Sequence, residues 1–194
     1  TPDHITSLMY RLIDVDKNSR VLDASCGSGA FLVKAMCNMM KEAGGINTRE
    51  AKEIQKDQLF GIEIDREIFA LACANMLIHK DGKSNLAQLD SRTDDASKWI
   101  KEKGISKVLM NPPFETKYGC LKIVKNVLDS VPKGVKCAFI LPDKKMEKDM
   151  VDKKFGNKLL KNHRLLTIVK LPEKTFDASV PASIFIFEAH KPQD

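Results

Sequence analysis

The residues best suited to chemistry are Asn111, Pro112, Pro113 and Phe114. Consecutive prolines remove two N–H donors and fix φ, so the segment is a stiff, extended turn. Its carbonyls and the Asn111 side chain are left as acceptors, and an aromatic ring follows at once. Acceptors beside a stacking face suit a planar ligand that carries an NH₂ group. A strand-ending Pro-Pro turn capped by asparagine is the structural alternative. Position favours the chemical reading, because the turn closes an apolar run, Lys107–Met110, downstream of a ligand-binding pattern.

That pattern begins at Val21-Leu22-Asp23-Ala24-Ser25-Cys26-Gly27-Ser28-Gly29-Ala30-Phe31-Leu32, which reads as a strand, a glycine-rich turn and a helix start. Glycines let the backbone turn sharply and let a ligand approach it. The helix start offers free N–H groups and a positive dipole end. A dinucleotide fingerprint would place a third glycine at position 32, where Leu32 stands. A second apolar run ends in Gly61-Ile62-Glu63-Ile64-Asp65, whose Glu63 can accept both hydroxyls of a ribose. A third ends in Leu89-Asp90-Ser91, where Asp90 can accept from an adenine amino group. Loop, ribose acid and adenine acid thus follow in order on successive strand tips.

Elements able to hold such tips in one crevice are written along the whole chain. Strands are expected at 20–24, 59–64, 85–89, 107–110, 136–141, 165–171 and 183–188. Several are continuous apolar runs, as for strands covered on both faces. Helices are expected at 30–43, 66–79, 94–103, 121–131 and 144–162, with another opening at Thr1-Pro2-Asp3 and Thr1 as its hydroxyl cap. The alternation predicts an α/β, doubly wound, mostly parallel sheet. The 172–182 connection leaves no room for a helix, so the last two strands are expected to pair antiparallel.

Of the 194 residues, 43% are hydrophobic and 30% charged, with a net charge of +6, as in a single globular domain. No apolar run approaches the roughly 20 residues of a membrane span. Cys26, Cys37, Cys73, Cys120 and Cys137 form no CxxC pair, and the four histidines are scattered; no metal site is expected. Lysines are dense between Lys133 and Arg164, but Asp143, Glu147, Asp149 and Asp152 interrupt them, so a solvated helix is expected there rather than a phosphate-binding track.

DASCGSGAFL, GIEID and NPPF resemble the cofactor, ribose and catalytic motifs of adenine-N6 DNA methyltransferases. Thr1-Pro2 with Ile5 and Leu8-Met9 resembles the TP…LM element that precedes the cofactor loop in gamma-ordered members. Arg49–His79, KCAFILP and LPEKTFDASVPASIFIFE are similar to modification subunits of type I restriction–modification systems. The resemblance implies a Rossmann-like methyltransferase fold using S-adenosylmethionine. Thr1, Pro2, Asp23, Ala24, Ser25, Gly27, Gly29, Glu63, Ile64, Asp90, Ser91 and Asn111 would surround the cofactor; Asn111, Pro112, Pro113 and Phe114 would meet the target adenine. It further implies a DNA substrate, a separate specificity subunit, other subunits of a restriction–modification complex, and cytoplasmic action away from membranes. Residues 1–194 are expected to form one catalytic domain, with flanking domains missing. The family's usual DPACGSG loop reads DASCGSG here, and the adenine-contacting element at Asp90 matches weakly. Asn-Pro-Pro-aromatic also occurs in guanine-N2 RNA methyltransferases and in release-factor glutamine methyltransferases, and a non-catalytic cofactor-binding subunit is a further alternative.

Overall fold

The computed structural model describes residues 1–79, 85–115, 119–151, 156–176 and 180–192. Fifteen elements follow in the order α1 (Asp3–Leu12), β1 (Val21–Asp23), α2 (Ala30–Glu42), α3 (Arg49–Asp57), β2 (Leu59–Glu63), α4 (Arg66–Ile78), β3 (Leu86–Gln88), α5 (Asp94–Glu102), β4 (Lys107–Met110), α6 (Cys120–Ser130), β5 (Lys136–Pro142), α7 (Asp143–Val151), α8 (Gly156–Asn162), β6 (Arg164–Lys170) and β7 (Ala182–Glu188). The strands form a single seven-stranded sheet ordered β3-β2-β1-β4-β5-β7-β6. β1 to β5 are parallel, and β7 runs antiparallel to both β5 and β6. The strand order reverses at β1, between β2 and β4, so the carboxyl ends of these strands open into a common crevice.

Helices cover both faces, which is why β5 can be apolar throughout. Successive side chains of a strand point to opposite faces. Cys137, Phe139 and Leu141 accordingly join the core beneath α5 and α6, whereas Ala138 and Ile140 join the core beneath α1, α2 and α3. β6, at the sheet edge, exposes Leu166 and Ile168. Its attachment is strengthened by His163, which is fully buried. His163 Nε2 lies 2.8 Å from Asp129 Oδ1, and Nδ1 accepts from the His190 backbone N–H at 2.9 Å. The proton is therefore on Nε2, and burial lowers the pKa of the ring. These two histidines, far apart in sequence, pack with centroids 5.1 Å apart.

The expected strands and the antiparallel last pair are present. Three helical expectations need correction. Thr1 does not cap α1: Pro2 occupies the cap position without a side-chain bond, and its carbonyl accepts from Ile5 and Thr6 N–H. α3 was not foreseen, because only Ala51 and Ile54 of its nine residues are buried; Thr48, whose hydroxyl accepts from Ala51 N–H, is the start signal. The single helix expected over 144–162 is instead α7 and α8, and residues 152–155, Asp152 included, lie outside the described residues. Among the described residues no helix is long and apolar enough to cross a membrane.

Candidate functional site

The turn from β1 into α2 is built by two glycines in left-handed conformation, at φ 55° for Gly27 and 87° for Gly29. They differ in surroundings. A Cβ on Gly27 would meet nothing within 4 Å, so that turn faces open space; on Gly29 it would approach Met76 Sδ at 3.8 Å. Gly29 thus shapes the backbone against α4, and Gly27 borders a cavity. The loop is tied down by Cys26 N–H to Ile62 O (3.0 Å) and by Asn75 of α4, whose amide donates to Ser28 O at 2.9 Å.

Two cavities meet in the crevice, sharing Ser25 and Asn111 in their walls. The first, about 270 Å³, is flanked by Ala24, Glu63, Ile64, Ile68, Leu89, Asp90, Ser91, Arg92, Pro113 and Ile123. Ile64 and Ile68 are unusually exposed for their type, at 43% and 41%, and give it an apolar wall. The second, about 200 Å³, is polar and flanked by Thr1, Asp3, Thr6, Asp23, Gly27 and Ser28 among others. A ligand with a flat, largely apolar half and a charged half fits this pair.

Asp23 is only 2% exposed, and its Oδ1 accepts from Ser25 N–H at 3.0 Å. Burial pushes its carboxyl up to about 7; the Ser25 N–H works against this and the Glu63 charge adds to it. Ser25 Oγ is buried beside the Asp23 carboxyl and makes no well-aligned hydrogen bond among the described residues, so a ligand could satisfy it. Among the described residues Glu63 accepts one long bond, at 3.3 Å from Asp65 N–H, so its carboxylate keeps acceptor capacity, while Asp65 caps α4.

Asp90 stands in the wall as expected but is already engaged. Arg92 grips both oxygens, with Nε to Oδ1 at 2.9 Å and an NH₂ to Oδ2 at 2.7 Å, and holds the carboxyl below its usual pKa. The Ser91 hydroxyl is spent on a bond to Ala24 O, joining two strand-tip loops. Asn126 of α6 supports them, donating to Ser91 O and Thr93 O at 2.8 and 3.0 Å.

At the tip of β4, Asn111 Nδ2 donates to Thr1 Oγ1 at 2.9 Å, so Asn111 Oδ1 is left as an acceptor. Pro112 is buried and Pro113 half-buried. Phe114 packs edge-on against Phe176 from the β6–β7 loop, centroids 6.3 Å apart at 78°. Lys145 of α7 donates to the Phe114 carbonyl. Pro2, Gly29, Pro112 and Phe114 lie outside both cavity walls, whereas the other expected residues line one or both. Sequence reasoning missed Ile68, Asn75, Arg92, Asn126, Lys145 and Phe176. Of these, only Asn75, an amide inside an otherwise apolar helix stretch, left a trace.

Comparison with known proteins places these features in context. The family profile described as N-6 DNA Methylase matches residues 1–130. The chain is 38% identical over 198 residues to the type II restriction enzyme and methyltransferase RM.BcgI of Heyndrickxia coagulans, covering 97% of this chain and 31% of that protein. It is 25% identical over 214 residues to the type I restriction enzyme EcoEI methylase subunit of Escherichia coli, covering 99% of this chain and 42% of that one. It therefore spans less than half the length of these relatives. Among solved structures, the type I restriction enzyme EcoKI M protein superposes with a TM-score of 0.82 at 18% identity, over 97% of this chain and 43% of that one.

Proposed function

The chain belongs to the N-6 DNA methylase family, and on that premise we propose that it is the catalytic domain of an S-adenosylmethionine-dependent enzyme that methylates the N6 amino group of adenine in DNA. The observation that carries this reading is the junction of an apolar and a polar cavity at Ser25 and Asn111, beside the Asn-Pro-Pro-Phe turn. The residues present fit the cofactor. Glu63 has acceptor capacity to spare for a ribose diol, Ile64 and Ile68 offer a face for a purine, and the buried Ser25 hydroxyl and Asp23 stand in the polar half. When bound, S-adenosylmethionine supplies an electrophilic methyl group on a sulfonium.

The difficulty lies with the nucleophile, since an adenine amino lone pair is delocalised into the ring. Asn111 Oδ1 and the Pro112 carbonyl would accept hydrogen bonds from that NH₂, favour its pyramidal form, and face the positive charge that develops on nitrogen. Acceptors placed there act selectively on the transition state. Thr1, by holding Asn111 Nδ2, keeps Oδ1 directed to this task. The Phe114–Phe176 pair offers ring surface to a base turned out of the duplex, offsetting an unstacking cost of a few kcal/mol. The N–C bond would form as the sulfonium's methyl C–S bond breaks, its electron pair staying on sulfur in a neutral thioether; the N–H proton becomes acidic once the nitrogen is alkylated and leaves to solvent, so no dedicated base is required beforehand.

Asp23 yields a prediction independent of turnover. A carboxyl titrating at about 7 is half protonated at that pH. A cationic ligand beside it favours the ionised form, so cofactor binding at neutral pH should release up to about half a proton. The release should fade near pH 9, where Asp23 is already ionised. Calorimetric titrations in phosphate and Tris at pH 7 should give different apparent enthalpies; equal enthalpies would remove this role.

Partner subunits that read the DNA sequence and complete a restriction–modification complex belong to the same proposal, with the cytoplasm as its place of action. The description of the EcoEI relative as a methylase subunit supports the first, and the two activities in the name of RM.BcgI support the second. The test is to incubate the full-length protein, together with the partner subunits that co-purify with it, with tritiated S-adenosylmethionine and DNA, ribosomal RNA or release factor, then digest the product. N6-methyladenine in DNA is expected; label found only in RNA or protein would overturn the assignment.

A further inference from the structure

We infer that Lys145 is a positioning residue for the target base: it clamps the Asn111–Phe114 turn to the same frame that carries Phe176. This rests on the function proposed above. Beyond Met110, the last β4 residue paired with β5, no ladder holds the turn, and its prolines cannot donate. Among the described residues its ties include the Asn111–Thr1 bond, the packing of Phe114 on the core and edge-on against Phe176, and the Lys145 ammonium on the Phe114 carbonyl.

The far end of the Lys145 tie is unusually well anchored. Asp143, two residues earlier at the start of α7, accepts from Ser183 Oγ of β7 at 2.7 Å and pairs with Lys170 of β6. Its backbone N–H donates to Pro181 O at 3.0 Å. α7 is thereby fixed to both strands flanking the loop that presents Phe176. The Lys145 ammonium also lies 3.8 Å from Cys120 Sγ, at the first residue of α6 just after the turn. A lysine in a lysine-rich helix ordinarily extends to solvent; this one is half-buried and directed at the turn. Through it, the ring of Phe114 and the acceptors of Asn111 and Pro112 keep a fixed distance from Phe176.

Misplacement of reacting groups by about 1 Å can cost on the order of 100-fold in rate. In the full-length protein assembled with its partner subunits, K145M should lower the single-turnover methylation rate of unmethylated plasmid DNA by about that factor, with cofactor Kd and KM for DNA within about twofold of wild type. K145R and K145Q keep an N–H donor and should each recover part of the loss. Wild-type turnover in K145M, loss of cofactor binding together with turnover, or no recovery in either donor-bearing variant would overturn the positioning role. N111A separates the two levels: if it is inactive while K145M is fully active, only the inference about Lys145 fails. If the wild-type protein assembled with its partner subunits methylates no adenine in DNA, the underlying function fails.

Discussion

Asn111→Ala should lower methyl transfer to adenine by about 100- to 1000-fold while cofactor binding survives. The size follows from what deletion of a single preorganised polar group at a developing charge ordinarily costs, about 3–4 kcal/mol. Alanine removes the Oδ1 acceptor and, with Nδ2, the bond to Thr1, so the turn loses both the proposed catalytic group and one of its moorings. Asn111 borders both cavities, but Glu63, Asp23 and Ser25 remain to hold a ligand. Single-turnover kinetics beside calorimetry would separate the effects. An unchanged rate would strip Asn111 of its role; equal losses in rate and affinity would make it a binding residue instead.

The second large effect is expected away from the chemistry. Gly61 lies in β2, and a Cβ there would come within 2.6 Å of Leu86 Cδ2, 2.9 Å of Leu32 Cδ1 and 3.0 Å of Cys26 Sγ. These atoms are side-chain ends on β3, α2 and the glycine loop; Leu32 and Cys26 are buried, so relief of the overlap requires them to rotate within packed surroundings. Overpacking of this kind costs about 1–3 kcal/mol, and the branched side chain in Gly61→Val should reach the upper end. For a domain of this size, about 3 kcal/mol corresponds to a fall in Tm of about 6–12 °C. The Cys26 N–H bond to Ile62 O would be disturbed as well, so cofactor affinity should fall with stability. A calorimetric melt within about 2 °C of wild type would refute this account of why glycine stands there.

Much of the fold was written in local pattern. β5 and β7 are buried almost throughout, and their unbroken apolar runs announced strands covered on both faces. The same contrast makes sense of their order in the sheet, with buried β7 inside and half-exposed β6 at the edge. α3 escaped because charge dominates its sequence and two buried side chains are too few to set a period. In the site, strand-tip residues were legible because topology brings strand tips together: Asp23, Glu63, Asp90 and Asn111 all border the crevice. Residues that act across the fold were not. Nothing local marks Phe176 as the neighbour of Phe114, or Lys145 among the lysines of α7 as the one that turns inward. Nor could spacing show that Thr1 would answer to Asn111 instead of capping its own helix, or that Arg92 would engage Asp90 two residues away.

β7 lies between β5 and β6 although it follows both along the chain. A nascent polypeptide can therefore assemble β1 to β5, with the cofactor crevice among them, before β6 has any place in the sheet. The loop bearing Phe176 gains its second anchor only when β7 slots in, and with it come the Ser183 and Pro181 contacts that set Asp143 and α7. On the proposed assignment, the residues of the cofactor side would leave the ribosome before those that complete the nucleobase side. A chain interrupted before Ala182 would keep the Asn111–Phe114 turn but lack the Ser183 contact that anchors α7 beside it.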